Sequence, residues 1–143
     1  MNADMRGFQI MTSIKNAPRT ATTIKVRSKP EYMISRSRDP YHELMLRLFK
    51  DETTAMRGRR FLGIIEERMR EGNPLRTNEW ESMIKELGIS RSAFYAMRNK
   101  LLGAGLISIR GGEYRLSGAF SKDLVDMARW WWTAVLGNSL ENL

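Results

Sequence analysis

Residues 78–116 constrain the fold more tightly than any other stretch of the chain, because capping signals, helical spacing and turn residues there follow one another without a gap. Asn78 is a good N-cap and Glu81 lies three residues on, as a capping box requires. Trp80, Met83, Ile84 and Leu87 then share one face of a helix. Gly88 follows the last of them, where a left-handed residue ends a helix and lets Ile89 fold back into the core. Ser90 caps a second helix with Phe94, Met97 and Leu101 inward, Leu102 at the edge, and Arg91, Ser92, Tyr95, Ala96, Arg98 and Asn99 on its outer faces. After the glycines at 103 and 105, residues 106–110 alternate as a half-buried strand does. Gly111-Gly112 supplies a two-residue turn, and residues 113–116 return as a second strand.

Two helices, a tight turn and a two-stranded hairpin in this order predict a winged helix-turn-helix. The stretch resembles the winged-helix transcription regulators, MarR-like ones especially. Ser90-Arg91-Ser92, Phe94, Leu101 and Gly105-Leu106-Ile107 fall where that family has its capping serine, buried residues and first wing strand. The resemblance spans residues 78–116 of 143; the wing is short, and Leu102 to Ala104 stand where the family usually carries charges. It implies a recognition helix over residues 91–102 in the major groove of duplex DNA. A helix enters that groove by its first turns, so short polar and cationic side chains there suit base-edge reading. Arg91, Ser92, Tyr95, Arg98, Asn99 and Lys100 are the candidate contacts on the helix, with Arg110 and Arg115 near the hairpin tip.

Charge points to the same class of partner. The chain has 24 Lys and Arg against 16 Asp and Glu, a net +8, which favours a polyanion, nucleic acid before membrane. Residues 1–38 hold Arg6, Lys15, Arg19, Lys25, Arg27, Lys29, Arg36 and Arg38 against Asp4 and Glu31, so +6 of that total lies in one basic arm. Pro18 and Pro30 interrupt this arm and its apolar residues are scattered, too few to offset the ordering entropy. Two readings stand: a flexible, extended, solvated tail with one short strand at residues 22–26, or an arm that orders on nucleic acid or in an assembly. Under the second, Lys25, Arg27, Lys29, Arg36 and Arg38 lie along the phosphate backbone.

The remaining helices read as the body of a domain over residues 39–136, followed by a short tail at 137–143. Asp39-Pro40 is an N-cap followed by proline at the first helical position, and Leu44, Met45, Leu48 and Phe49 form a stripe through about Lys50. A second helix is expected from about Thr54 to Arg70 with Met56, Phe61, Leu62, Ile65 and Met69 inward. Its Arg57-Gly58-Arg59-Arg60 run is either a solvated face partly neutralised by Glu66, Glu67 and Glu71 or a phosphate contact. A last helix over about residues 118–136, capped by Ser117 or Ser121, is expected to turn Leu124, Ala128, Trp131 and Val135 inward and to stop at Gly137-Asn138. Trp130, Trp131 and Trp132 spread over about 200° of its circumference, so one stripe cannot bury all three. They mark a protein interface, a homodimer or larger assembly first; alternatively two cover the domain edge while one packs near Phe49, or they stack on a base.

No enzyme is expected. His42, the single histidine, sits in the first turn of a helix, and no converging set of metal ligands or phosphate loop is visible. No cysteine is present, which excludes disulfides and thiolate sites and fits a cytoplasmic protein; no cofactor and no membrane partner are expected. The fold expected is mainly α with a small β-hairpin. The leading function is double-stranded DNA binding in transcription regulation. The rivals are an RNA-binding, ribosome-associated or ribonucleoprotein subunit and a protein-interaction adaptor that works through the tryptophans.

Overall fold

The computed structural model describes residues 22–143, and the part of the basic arm at 1–21 lies outside the described residues. The chain forms α1 (Pro40–Leu48), α2 (Glu52–Arg70), α3 (Trp80–Leu87), α4 (Arg91–Gly103), β1 (Ile107–Arg110), β2 (Glu113–Leu116) and α5 (Ala119–Trp130). It is mainly helical, with one small antiparallel hairpin. Asp39 caps α1 through its carboxylate, which accepts from the His42 N–H at 3.2 Å. Ser90 caps α4 by accepting from the Ala93 N–H at 3.1 Å. Gly88 ends α3 at φ 65°, and the Ile89 N–H donates back to the Ile84 carbonyl. Gly111 and Gly112, at φ 56° and 74°, make the hairpin turn that pairs Ile109 with Tyr114 and Ile107 with Leu116. Both require positive φ, which glycine supplies without steric cost.

One core joins these elements. Met45, Leu48 and Phe49 from the α1 end, Ala55, Phe61, Leu62 and Ile65 from α2, and Phe94, Met97 and Leu101 from α4 are buried with Leu75, Met83, Leu87, Ile107 and Tyr114. Phe61 stands edge-on to Phe94 at 5.2 Å and to Tyr114 at 5.4 Å, so a single α2 ring locks α4 to the hairpin.

Several local expectations are corrected. The capping box precedes its predicted place: a short 3-10 turn at Thr77–Glu79 leads into α3, and the Glu79 carboxylate accepts from the Arg76 N–H at 2.8 Å. Arg68 of α2 donates to both Glu79 oxygens at 3.1 Å and so holds this carboxylate at the cap. Residues 75–77 also run beside β2: the Tyr114 N–H donates to the Leu75 carbonyl and the Thr77 N–H to the Gly112 carbonyl, both at 2.8 Å. α2 starts at Glu52, capped by Asp51, and Met56 is 59 % exposed rather than inward. Its buried line runs through Ala55, Gly58, Phe61, Leu62 and Ile65, and Met56 lies on the Arg60 side of the helix.

The two ends of the described chain also differ from expectation. Residues 22–26 form no strand, yet they are held: Ile24 packs on the core and the Lys25 N–H donates to the Arg47 carbonyl at 3.0 Å. The segment then makes 3-10 turns at Pro30–Tyr32 and Ile34–Arg36, and Arg47 reaches the Tyr32 carbonyl. So residues 22–38 are docked on α1 rather than extended in solvent. α5 is preceded by Gly118; Ser117, not Ser121, helps at its start by accepting the Ala119 N–H at 3.2 Å. The Phe120 N–H donates to the Gly105 carbonyl, where a Cβ on residue 105 would lie 2.7 Å from that nitrogen. The expected inward stripe is absent: no residue of α5 or of the π-helical turn Trp131–Val135 is buried. No tryptophan of the triplet joins the core with Phe49, whose ring instead faces Gly58. Gly137, at φ 70°, closes this segment as expected.

Candidate nucleic-acid interface

α4 is carried on the core by Phe94, Met97 and Leu101, which fixes which side chains can leave the body. Its flank toward α3 is an aromatic and cationic ladder. The Arg91 guanidinium lies 4.3 Å over the Trp80 ring and 5.8 Å from Tyr95, and the Arg98 guanidinium lies 4.5 Å over Tyr95. Each such contact contributes about 0.5–1 kcal/mol at an exposed site and removes rotamer freedom that a ligand would otherwise have to restrict. Tyr95 is therefore half-buried, edge-on to Phe94 at 5.3 Å, rather than free on the outer face. Arg98 continues the ladder to Asn99, whose carbonyl oxygen accepts from Nε at 3.3 Å and Nη2 at 3.1 Å. Burial pushes the Tyr114 hydroxyl above the usual phenol range, and the nearby Arg98 guanidinium, as a side-chain donor first and as a charge second, pulls it back.

The outward ridge of α4 is small and polar. Ser92, Ala93 and Ala96 are exposed, with Asn99 half-exposed beside them and Lys100 on the far flank, 5.7 Å over the Phe49 ring. Among the described residues, Arg91, Arg98, Lys100 and Arg110 form no ion pair. The two arginines predicted for the hairpin part company. Arg110 is exposed next to the tip, whereas Arg115 donates to Glu113 at 2.9 Å, and Glu113 also draws Arg76 to 3.5 Å.

The arm cations sit on a different support. Arg27 is 3.5 Å from Glu43 and stacks on Tyr32 at 5.1 Å, while Lys25, Lys29, Arg36 and Arg38 are exposed along the segment that lies on α1. The arginines of the Arg57 to Arg60 run all have partners on the surface of the molecule. Arg57 donates to the Gly88 carbonyl at 3.3 Å, Arg59 pairs with Asp39 and Arg60 with Glu86. Of the expected neutralising glutamates, Glu66 pairs with Arg70 at 2.8 Å. The His42 backbone N–H and Arg59 hold the Asp39 carboxyl below its usual range, so this cap is ionised at neutral pH.

Trp80 and Arg76 are the residues of this surface that the sequence reading did not select. Trp80 packs against the core as its spacing predicts, but nothing local to residue 80 announces an arginine eleven positions later over its ring. Trp130 and Trp131 are 61 % and 53 % exposed with ring centres 6.4 Å apart; Trp132 is half-buried and donates to the Ser139 carbonyl at 2.7 Å. Among the described residues no three His, Cys, Asp or Glu side chains are grouped to hold a metal ion. No helix there is long and apolar enough to cross a membrane.

These features define a mainly helical protein with a small hairpin, in which one well-supported helix presents stacked cations. A protein-family model described as an archaeal family matches residues 38–137, and the chain belongs to that family. No curated protein and no solved structure matches it.

Proposed function

We propose that this chain binds double-stranded DNA as a winged helix-turn-helix, with α4 in the major groove and the hairpin as a short wing, in transcription control within the cell. The observation that carries the reading is the surface of α4, where cations with no acidic partner among the described residues are pre-oriented by rings beside a ridge of small polar side chains. Small residues let a helix approach base edges, and a guanidinium already fixed loses less freedom on binding. The same stacking favours a duplex over a single strand. The ring faces of Trp80 and Tyr95 are occupied by Arg91 and Arg98 and so are not free to stack on bases. Catalysis and cofactors have no part in this reading.

The deciding experiment titrates the protein with labelled duplex DNA, duplex RNA and single strands of mixed sequence over a range of salt. Tightest binding to duplex DNA, with log K falling linearly in log salt, is the expected outcome. Tighter binding to structured RNA would replace this reading by the ribonucleoprotein one. Absence of binding to any of them at low salt would leave the adaptor reading, for which the uncovered apolar side chains of α5 speak.

A further inference from the structure

The ladder on α4 ends in an asparagine whose side-chain amide is already engaged. An asparagine that reads adenine does so with both ends of its amide: the carbonyl oxygen accepts from the adenine amino group while the NH2 donates to N7. Here the Asn99 oxygen is already taken by two Arg98 donors, at 3.1 and 3.3 Å. The assignment of oxygen and nitrogen follows from chemistry, since a guanidinium only donates and the atom facing it must accept. The Arg98 guanidinium itself lies 4.5 Å over Tyr95, and Tyr95 is braced against Phe94, which belongs to the core. The Asn99 NH2 makes no hydrogen bond among the described residues. Asn99 is therefore a donor-only group, and Lys100 next to it also donates and never accepts.

We infer that Arg98 is a positioning residue that converts Asn99 from an adenine reader into a guanine reader. Guanine presents two adjacent acceptors, O6 and N7, to the major groove and can engage both N–H groups of the amide, whereas thymine offers the single acceptor O4, adenine its N7 beside a repelling amino group, and cytosine only an amino group that would face the NH2 of Asn99 donor to donor. This inference rests on the duplex DNA reading above. Freed of Arg98, the amide recovers its acceptor and can make the two-bond contact with adenine. Arg98→Met keeps the bulk over Tyr95 and removes the fork; Arg98→Lys keeps a charge without the planar pair of donors.

The test selects bound duplexes from a randomised pool with the wild type, with R98M and with R98K. A guanine enriched about ten-fold at one position by the wild type, replaced by adenine at that position with R98M and partly so with R98K, is the expected result. A merely structural arginine would weaken all sites without changing the base. Unchanged guanine preference in an R98M protein that still binds would overturn the inference while leaving DNA binding intact; failure of the wild type to enrich any duplex would overturn both. A second readout needs no DNA and holds even where R98M binds poorly. The Asn99 side-chain amide is expected to be ordered by 15N relaxation in the free wild type and mobile in R98K. A mobile amide in the wild type would overturn the clamp.

Discussion

Gly58 and Gly63 lie about one and a half turns apart on α2 and answer the same substitution with opposite sign. A Cβ at Gly58 would meet Phe49 Cε2 at 2.8 Å and the Met45 sulfur at 3.3 Å, both core atoms at the end of α1. Around Gly63 nothing lies within 4 Å. Gly58→Ala gains helix propensity of about 0.5–1 kcal/mol but overpacks a tight contact at about 1–3 kcal/mol, so a net loss is expected. Gly63→Ala keeps only the gain. Urea unfolding of the two variants, with m unchanged, should move the midpoint down for the first and up for the second. The position of Gly58 within an arginine run hid its role, because a close approach between two helices leaves no trace in the sequence of either.

At the scale of elements, the caps and periodicities were legible: Asp39-Pro40, Ser90, Gly88 and the glycine pair act within a few residues and depend on nothing else. What escaped is what depends on a partner far along the chain. Asn78 and Glu81 satisfy the local rule for a capping box, yet Glu79 serves, held at the cap by Arg68 of α2. This join makes a pH prediction. The Arg76 N–H first, and then Arg68, hold the Glu79 carboxyl below its ordinary value of 4.5. A carboxylate depressed by folding contributes stability that is fully present above about pH 4.5 and is lost as pH falls through the lower folded value. Glu79→Gln should cost about 1–2 kcal/mol at pH 7, as loss of a charge-assisted pair does. The difference from wild type should shrink below pH 4. A constant difference from pH 7 down to pH 3 would assign the effect to packing. The arm and α5 escaped for the same reason: the Lys25 to Arg47 hydrogen bond that docks one, and the bare surface that leaves the other uncovered, belong to tertiary structure.

At the scale of the whole molecule the charge is divided. Residues 117–143 carry Lys122 and Arg129 against Asp123, Asp126 and Glu141, a net −1, while the rest of the chain carries +9. A helix of twelve residues is marginal alone; α5 rests on the body only through half-buried Phe120 and Leu124, and its exposed apolar side chains from Val125 onward call for a cover that is not a polyanion. We propose a second copy. Met127, Trp131 and Val135 recur every four residues and are about half exposed, so a two-fold axis at Trp131 would set Met127 of each copy against Val135 of the other. A stable interface takes about 800 Å² from each partner. Eight large apolar side chains between Val125 and Leu143, two of them tryptophans, are exposed and able to contribute to it. Pairing would also place two copies of α4 on one duplex, where half-sites are about 34–36 Å apart. Trp131→Glu should then give a monomer with unchanged far-ultraviolet dichroism that binds half of a palindromic site weakly and the whole no better; Val135→Asp should do the same if the first fails to fold. A wild type that sediments as a monomer at tens of micromolar would sink the pairing, and α5 would then be a docking face for a different protein.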